Sequence, residues 1–250
     1  AGYILGFPTD TAASILRDIR IIQRELPVDL LEFFILTPLP GSQDHKELVE
    51  RGVPLEPDMN AYDSVHVTAP HARMSKEEWT EVYQQAWDAY YTPAHVETVI
   101  RRAADWGFDT NKIKWMMLAF HATARIERVH PLDSGLFRRK YRSDRRAGLP
   151  REHPVIFYGR YAGEIVRKYC LLLRMYLTYE GARRRATRAA SGVPMRDVAT
   201  EPVQATELND LELFTVTAAA RSAVDKVRER AGRRAVVETS ALREGSVGSL

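Results

Sequence analysis

The chain has 250 residues, 45% hydrophobic and 28% charged, enough to bury a core in one large domain or two smaller ones. Its single cysteine, Cys170, excludes an intrachain disulfide framework and fits a reducing, cytoplasmic compartment; no apolar run reaches the roughly 18–20 uncharged residues of a membrane span. The net charge of +3 is unevenly spread: residues 138–188 hold 15 Lys and Arg against 4 Asp and Glu, a block that seeks phospholipid, nucleic acid or an acidic neighbour.

The sequence opens at Ala1 directly into an apolar run, which reads as a break inside a longer polypeptide whose upstream half is the first partner. Residues 2–6 predict a buried strand ended by Gly6, Phe7 and Pro8. Asp10 or Thr11 caps a helix with Ile15, Leu16, Ile19 and Ile22 on one face, and residues 30–36 predict a second strand. Strand, helix and strand make a βαβ unit with parallel strands, covered on both faces. Two parallel strands do not make a stable sheet alone, so further strands are expected upstream, and the isolated chain is expected to present a bare strand edge.

Thr37-Pro38-Leu39-Pro40-Gly41 predicts a rigid turn, and Ser42 caps a short helix that stops at Gly52. Residues 53–73 read as a long surface excursion. Ser75 and Glu78 form a capping box, followed at helical spacing by Trp79, Val82, Tyr83, Ala86, Trp87 and Tyr90, an aromatic stripe expected in the core. Thr92-Pro93 opens another helix with Val96, Val99, Ile100 and Ala103 inward. Helices are predicted over 111–129, 155–189 and 207–232, with a basic loop over 131–153. The helix at 155–189 is expected to pack through Ile156, Tyr161, Ile165, Tyr169, Leu172, Leu173 and Tyr176, with Cys170 buried as a small apolar residue. The fold class is thus α/β giving way to mostly α.

Gly-Tyr-Ile-Leu-Gly-Phe-Pro-Thr-Asp-Thr resembles the fifth-strand segment of radical S-adenosylmethionine (SAM) enzymes, with pattern Gly-x-Ile-x-Gly-x-x-Glu. Gly2, Ile4 and Gly6 match, and Thr9 stands where that family has Glu. Residues 33–42 resemble the sixth strand and its exit turn. The order Tyr62-Asp63, His66-Val67, Met74-Ser75 and Tyr90-Tyr91 is similar to the cobalamin-dependent branch.

The resemblance covers residues 1 to about 105 and implies the last βαβ portion of a partial (βα)6 TIM-like barrel over 1–73. A helical cap over 74–132, a basic helical extension over 133–235 and a flexible tail over 236–250 would follow. It implies SAM as cofactor, a 4Fe–4S cluster held by an upstream Cys-x-x-x-Cys-x-x-Cys loop, and cobalamin on an upstream domain. Ile4 and Gly6 would pack against adenine, and Leu36 and Thr37 would offer backbone contacts. The chain by itself is expected to be inactive, since several thiolates hold a cluster. The reaction would be radical methylation, cyclisation or rearrangement of a small apolar or lipid-like substrate.

Other constellations are weaker. His66 and His71 lie in the loop expected near the barrel mouth and are candidate substrate contacts. Glu127 and His130, with His121 earlier, form one Glu-x-x-His, whereas bundle di-iron sites use two; capping and surface roles are expected instead. Arg183, Arg184, Arg185 and Arg188 end the long basic helix and are candidates for binding an anionic membrane surface peripherally, or, with less support, nucleic acid.

Overall fold

Four residues from each predicted strand form the sheet. In the computed structural model, which describes residues 1–133, 135–145, 148–190, 197–201, 221–222 and 225–226, β1 (Gly2–Leu5) pairs in parallel with β2 (Glu32–Ile35), Gly2 opposite Glu32 and Leu5 opposite Ile35. Alternation sends Tyr3, Leu5, Phe33 and Ile35 to one face, where the last three are almost fully buried. The other face carries Ile4, still 46% exposed, and Phe34, half-buried beneath the stacked ring of His130. Only one face is therefore covered at β1, where burial of both was expected.

The crossover α1 (Ala12–Glu25) starts with reciprocal bonds: Ser14 N donates to the Thr11 hydroxyl and Thr11 N to that of Ser14, so Thr11 rather than Asp10 is the cap. Ile15 and Ile19 are fully buried, and Tyr3 Oη donates to Asp18 at 3.1 Å. Ser42 caps α2 (Gln43–Glu50). The stretch that follows is less superficial than its composition suggests: Val65, Val67 and Thr68 are buried, and Ile35 N donates to Ser64 O at 2.7 Å along the far edge of β2.

The capping box at Ser75 and Glu78 opens α3 (Lys76–Tyr90), and Thr92 with Pro93 opens α4 (Pro93–Asp105), both as their sequences dictate. All four rings of the aromatic stripe are buried. The predicted helix over 111–129 is shorter: α5 (Thr110–Ala122) passes into a π-helical turn over Thr123–Glu127 that ends at left-handed Arg128 (φ 54°). The basic loop leads to α6 (Pro154–Ala190), which packs along α4 and α5.

The packed face of α6 matches the expected one only in part: Tyr161, Ile165, Leu172 and Tyr176 are half-buried. Ile156, Tyr169 and Leu173 are each more than half exposed, Cys170 is exposed, and the buried residues are Phe157, Lys168, Tyr179, Ala182 and Ala186. The reason is electrostatic and steric. Lys168 Nζ lies 2.7 Å from Glu127 and 2.8 Å from Glu164, and the two alanines admit a close helix. Compact unit one comprises Ala1–Arg20 with Val28–Met195. The second comprises Ile21–Pro27 with Arg196–Leu250; in it Arg24 pairs with Glu25, and Asp197 O accepts from Thr200 N. Most of the helix predicted over 207–232, and all of the tail, lie outside the described residues.

Glu127 is buried, and it also accepts from Phe137 N at 3.1 Å. Lys168→Met strands that carboxylate and is expected to lower stability by about 3–5 kcal/mol in urea unfolding, with Glu127→Gln in the same chain recovering much of the loss. Hydrogen bonds from Lys140 and Lys168 hold the Glu164 carboxyl down to about 2, against an ordinary 4.5. That stability is present above pH 4.5 and is lost as the pH falls through 2, so Glu164→Gln is expected to flatten the acid limb of a stability–pH curve over this window.

Candidate functional site

In sheets of this kind ligands bind beyond the carboxyl ends of the strands. Here two turns meet at that edge. Leu36 N donates to Leu5 O at 2.9 Å, carrying the ladder one residue past β2, and the Thr37 hydroxyl donates back to Ile35 O at 3.0 Å. Asp10 Oδ2 accepts from Gly6 N and Phe7 N, both at 2.9 Å, and Phe7 O accepts from Asp10 N. The first turn is thus closed by a carboxylate that satisfies two backbone donors at once.

A second segment clamps this turn from above. His71 Nε2 donates to Phe7 O at 2.8 Å, while His71 Nδ1 accepts from Arg73 N and Met74 N at 3.1 Å. Two incoming N–H groups fix the proton on Nε2, so the ring is a neutral strap with both nitrogens engaged. Arg73 Nη1 donates to Thr9 O at 2.9 Å. His71, expected as a substrate contact, here braces the turn after β1. His66 is exposed and lies 2.8 Å from Asp63, whose carboxylate also accepts from Val65 N and His66 N.

Packing from the helical side also requires glycine at position 6. Its φ is +106°, and a Cβ there would lie 1.8 Å from Trp79 Cζ2. The close approach is made by the indole of Trp79 from α3. Ile4 remains accessible on the uncovered face, and Leu36 and Thr37 are half-buried beside it. Next to the clamp runs a groove of about 360 Å³ whose walls include Pro54, Glu56, Thr68, Lys76 and Trp79. Glu56 and Lys76 pair across 3.1 Å, and this contact holds the Glu56 carboxyl below its ordinary range.

No protein-family model, curated protein or solved structure matches this chain. What the residues permit must therefore be read from their chemistry. The chain's one cysteine is exposed on α6, remote in sequence from the strand ends, so these residues do not hold an iron–sulfur cluster. Ile4, Leu36 and Thr37 do suit a flat heterocycle: an exposed aliphatic surface lies next to a chain turn with backbone polar groups. No residue described here is assigned to a corrinoid.

The other predicted sites resolve differently. Glu127 and His130 are buried rather than superficial, one paired with Lys168 and the other stacked on Phe34 at 4.4 Å; among the described residues no group of acids, histidines and cysteine is placed to hold a metal ion. Burial lowers the affinity of His130 for a proton. Glu180 accepts from Arg183 at 2.7 Å and Arg184 at 3.0 Å, and Glu97 accepts from Arg185 at 2.7 Å. Three of the four arginines thus meet carboxylates; Arg188 is exposed. No helix among the described residues is long and apolar enough to cross a membrane.

Sequence reading offered Asp10 only as a helix cap and did not single out Arg73. Each acts on backbone groups, and Arg73 does so across 64 positions, which leaves no local signature. Gly6→Ala combines a strained φ with overpacking against Trp79 and is expected to cost at least about 2 kcal/mol in chemical denaturation. Adding Trp79→Phe should return only the steric part.

Proposed function

We propose that this chain is the C-terminal part of a radical SAM enzyme of the cobalamin-dependent branch. It contributes the last two barrel strands, part of the adenine side of the SAM site and a helical cap toward an apolar substrate. The observation that carries the reading is the pairing of two strand-end turns. The strands Gly2–Leu5 and Glu32–Ile35 pair in parallel, so the turns that begin at Gly6 and at Leu36 leave the sheet at the same edge, with Ile4 exposed beside them.

On this reading SAM would bind at the strand ends, where one electron from the upstream cluster would cleave its sulfur–C5′ bond to give methionine and a 5′-deoxyadenosyl radical able to take hydrogen from substrate. The roles of this chain's residues are positional. Ile4 gives adenine an apolar surface, and Leu36 and Thr37 offer backbone partners. Asp10, His71 and Arg73 fix the turn so that this surface is preformed and little ordering is left for binding to meet. The cluster-binding cysteines would be supplied upstream, in the other half of the polypeptide.

The test uses the complete gene product, purified without oxygen. An iron–sulfur absorbance with 5′-deoxyadenosine release from SAM and a reductant is the expected result. A colourless protein that leaves SAM intact would overturn the reading. In the same assay Ile4→Asp places a carboxylate on the adenine surface and is expected to raise KM for SAM about tenfold or more, a loss of about 1.4 kcal/mol. Its melting temperature should hold, since Ile4 is 46% exposed.

A further inference from the structure

A second pocket lies away from the strand ends, between the start of α4, the end of α5 with its π-helical turn, and α6. It encloses about 210 Å³ and is walled by apolar side chains, among them Ile126, Leu171 and Met175. Its polar side is a relay drawn from three helices. His121 Nε2 lies 3.0 Å from Asp88 Oδ1, and His121 Nδ1 lies 3.0 Å from Tyr179 Oη. The carboxylate keeps the imidazole proton on Nε2, so Nδ1 accepts and the Tyr179 hydroxyl donates. Tyr91, which also lines the pocket, stacks on His121 at 5.3 Å and fixes the ring plane.

Two arginines line this pocket, and they differ. Arg125 is paired with Asp88, the same carboxylate that orients His121. Arg174 is exposed at the α6 wall and meets no acid among the described residues. The polar groups of the pocket are thereby assigned, leaving one planar cation above an apolar space. The backbone marks the same place: the π-helical turn carries Arg125 and Ile126 into the lining, a distortion common where a helix serves a ligand.

We propose that this pocket binds a small monocarboxylate with an apolar body, the carboxylate seated on the Arg174 guanidinium and the body among Ile126, Leu171 and Met175. A guanidinium fork matches a carboxylate in bidentate fashion. A phosphate dianion is less well served, because the second arginine is already neutralised by Asp88. The space of about 210 Å³ matches a compact apolar body. Neither the strand-end site nor its SAM chemistry enters this inference.

The probe is benzoate, added to the full chain and followed by calorimetry and by ligand-observed NMR. Saturable binding with one site per chain is expected, with benzamide and inorganic phosphate unable to compete. Arg174→Met keeps the stem and removes the charge at an exposed position, and it should weaken benzoate about tenfold or more while leaving the melting temperature unchanged. Leu171→Trp fills the apolar space without touching Arg174 and should abolish binding, which separates the pocket from general surface attraction. Absence of saturable binding, equal affinity in Arg174→Met, retention of binding in Leu171→Trp, or displacement by phosphate would each overturn the proposal.

Discussion

Phe33 lies against the rings of Trp87 and Tyr90 at 5.1 and 6.3 Å, edge to face, and this contact governs how a two-stranded sheet exists at all. Eight strand residues make too small a ladder to stand in water. Aromatic pairs of this kind add about 0.5–1.5 kcal/mol beyond the area they bury. The same helix then fixes the approach to β2 through phenols: Tyr90 Oη donates to Val28 O at 2.6 Å, and Tyr91 Oη to Leu31 O at 3.0 Å. Trp79, at the other end of α3, is packed against Gly6, so one helix braces the chain entering β2 and the chain leaving β1.

From this support follows the form of the strand-end edge. Because Trp79 occupies the space where a side chain at position 6 would lie, the β1 turn is held close to α3. His71, Arg73 and Asp10 then use up its backbone groups. Ile4 stays exposed beside the half-buried Leu36 and Thr37, as do Phe7 and Leu39 in the two turns. A rigid rim beside an exposed aliphatic surface is the arrangement that binding a flat ligand favours, since few side chains must be ordered on association.

The helical part rests on a different kind of contact. Lys168 with Glu127 and Glu164, and Lys114 with Glu180, bury charges that are tolerable only as pairs. They set the rotation of α6, which leaves Val166, Leu173 and Leu177 outward and brings Tyr179 to His121. Apolar periodicity favoured Ile156 and Leu173 as core because hydrophobic residues dominate such patterns, whereas ion pairing between distant elements leaves no period to read.

Local chemistry was open to reading along the chain. The caps at Ser42, Ser75 and Thr92, the strands around Ile4 and Phe34, and the aromatic stripe of α3 follow from residues within a few positions of one another. Ile4, Leu36 and Thr37 could be placed at a strand end for the same reason. Only the tertiary structure decided that Gly6 meets Trp79, that His71 is a strap, that Arg183 to Arg185 meet carboxylates, and that Asp88 and Tyr179 flank His121. Each of these joins side chains that a short stretch of sequence does not bring together, or turns on which of several nearby partners a charge finds. Sequence determines what each segment prefers by itself; packing determines which preferences are satisfied by one another.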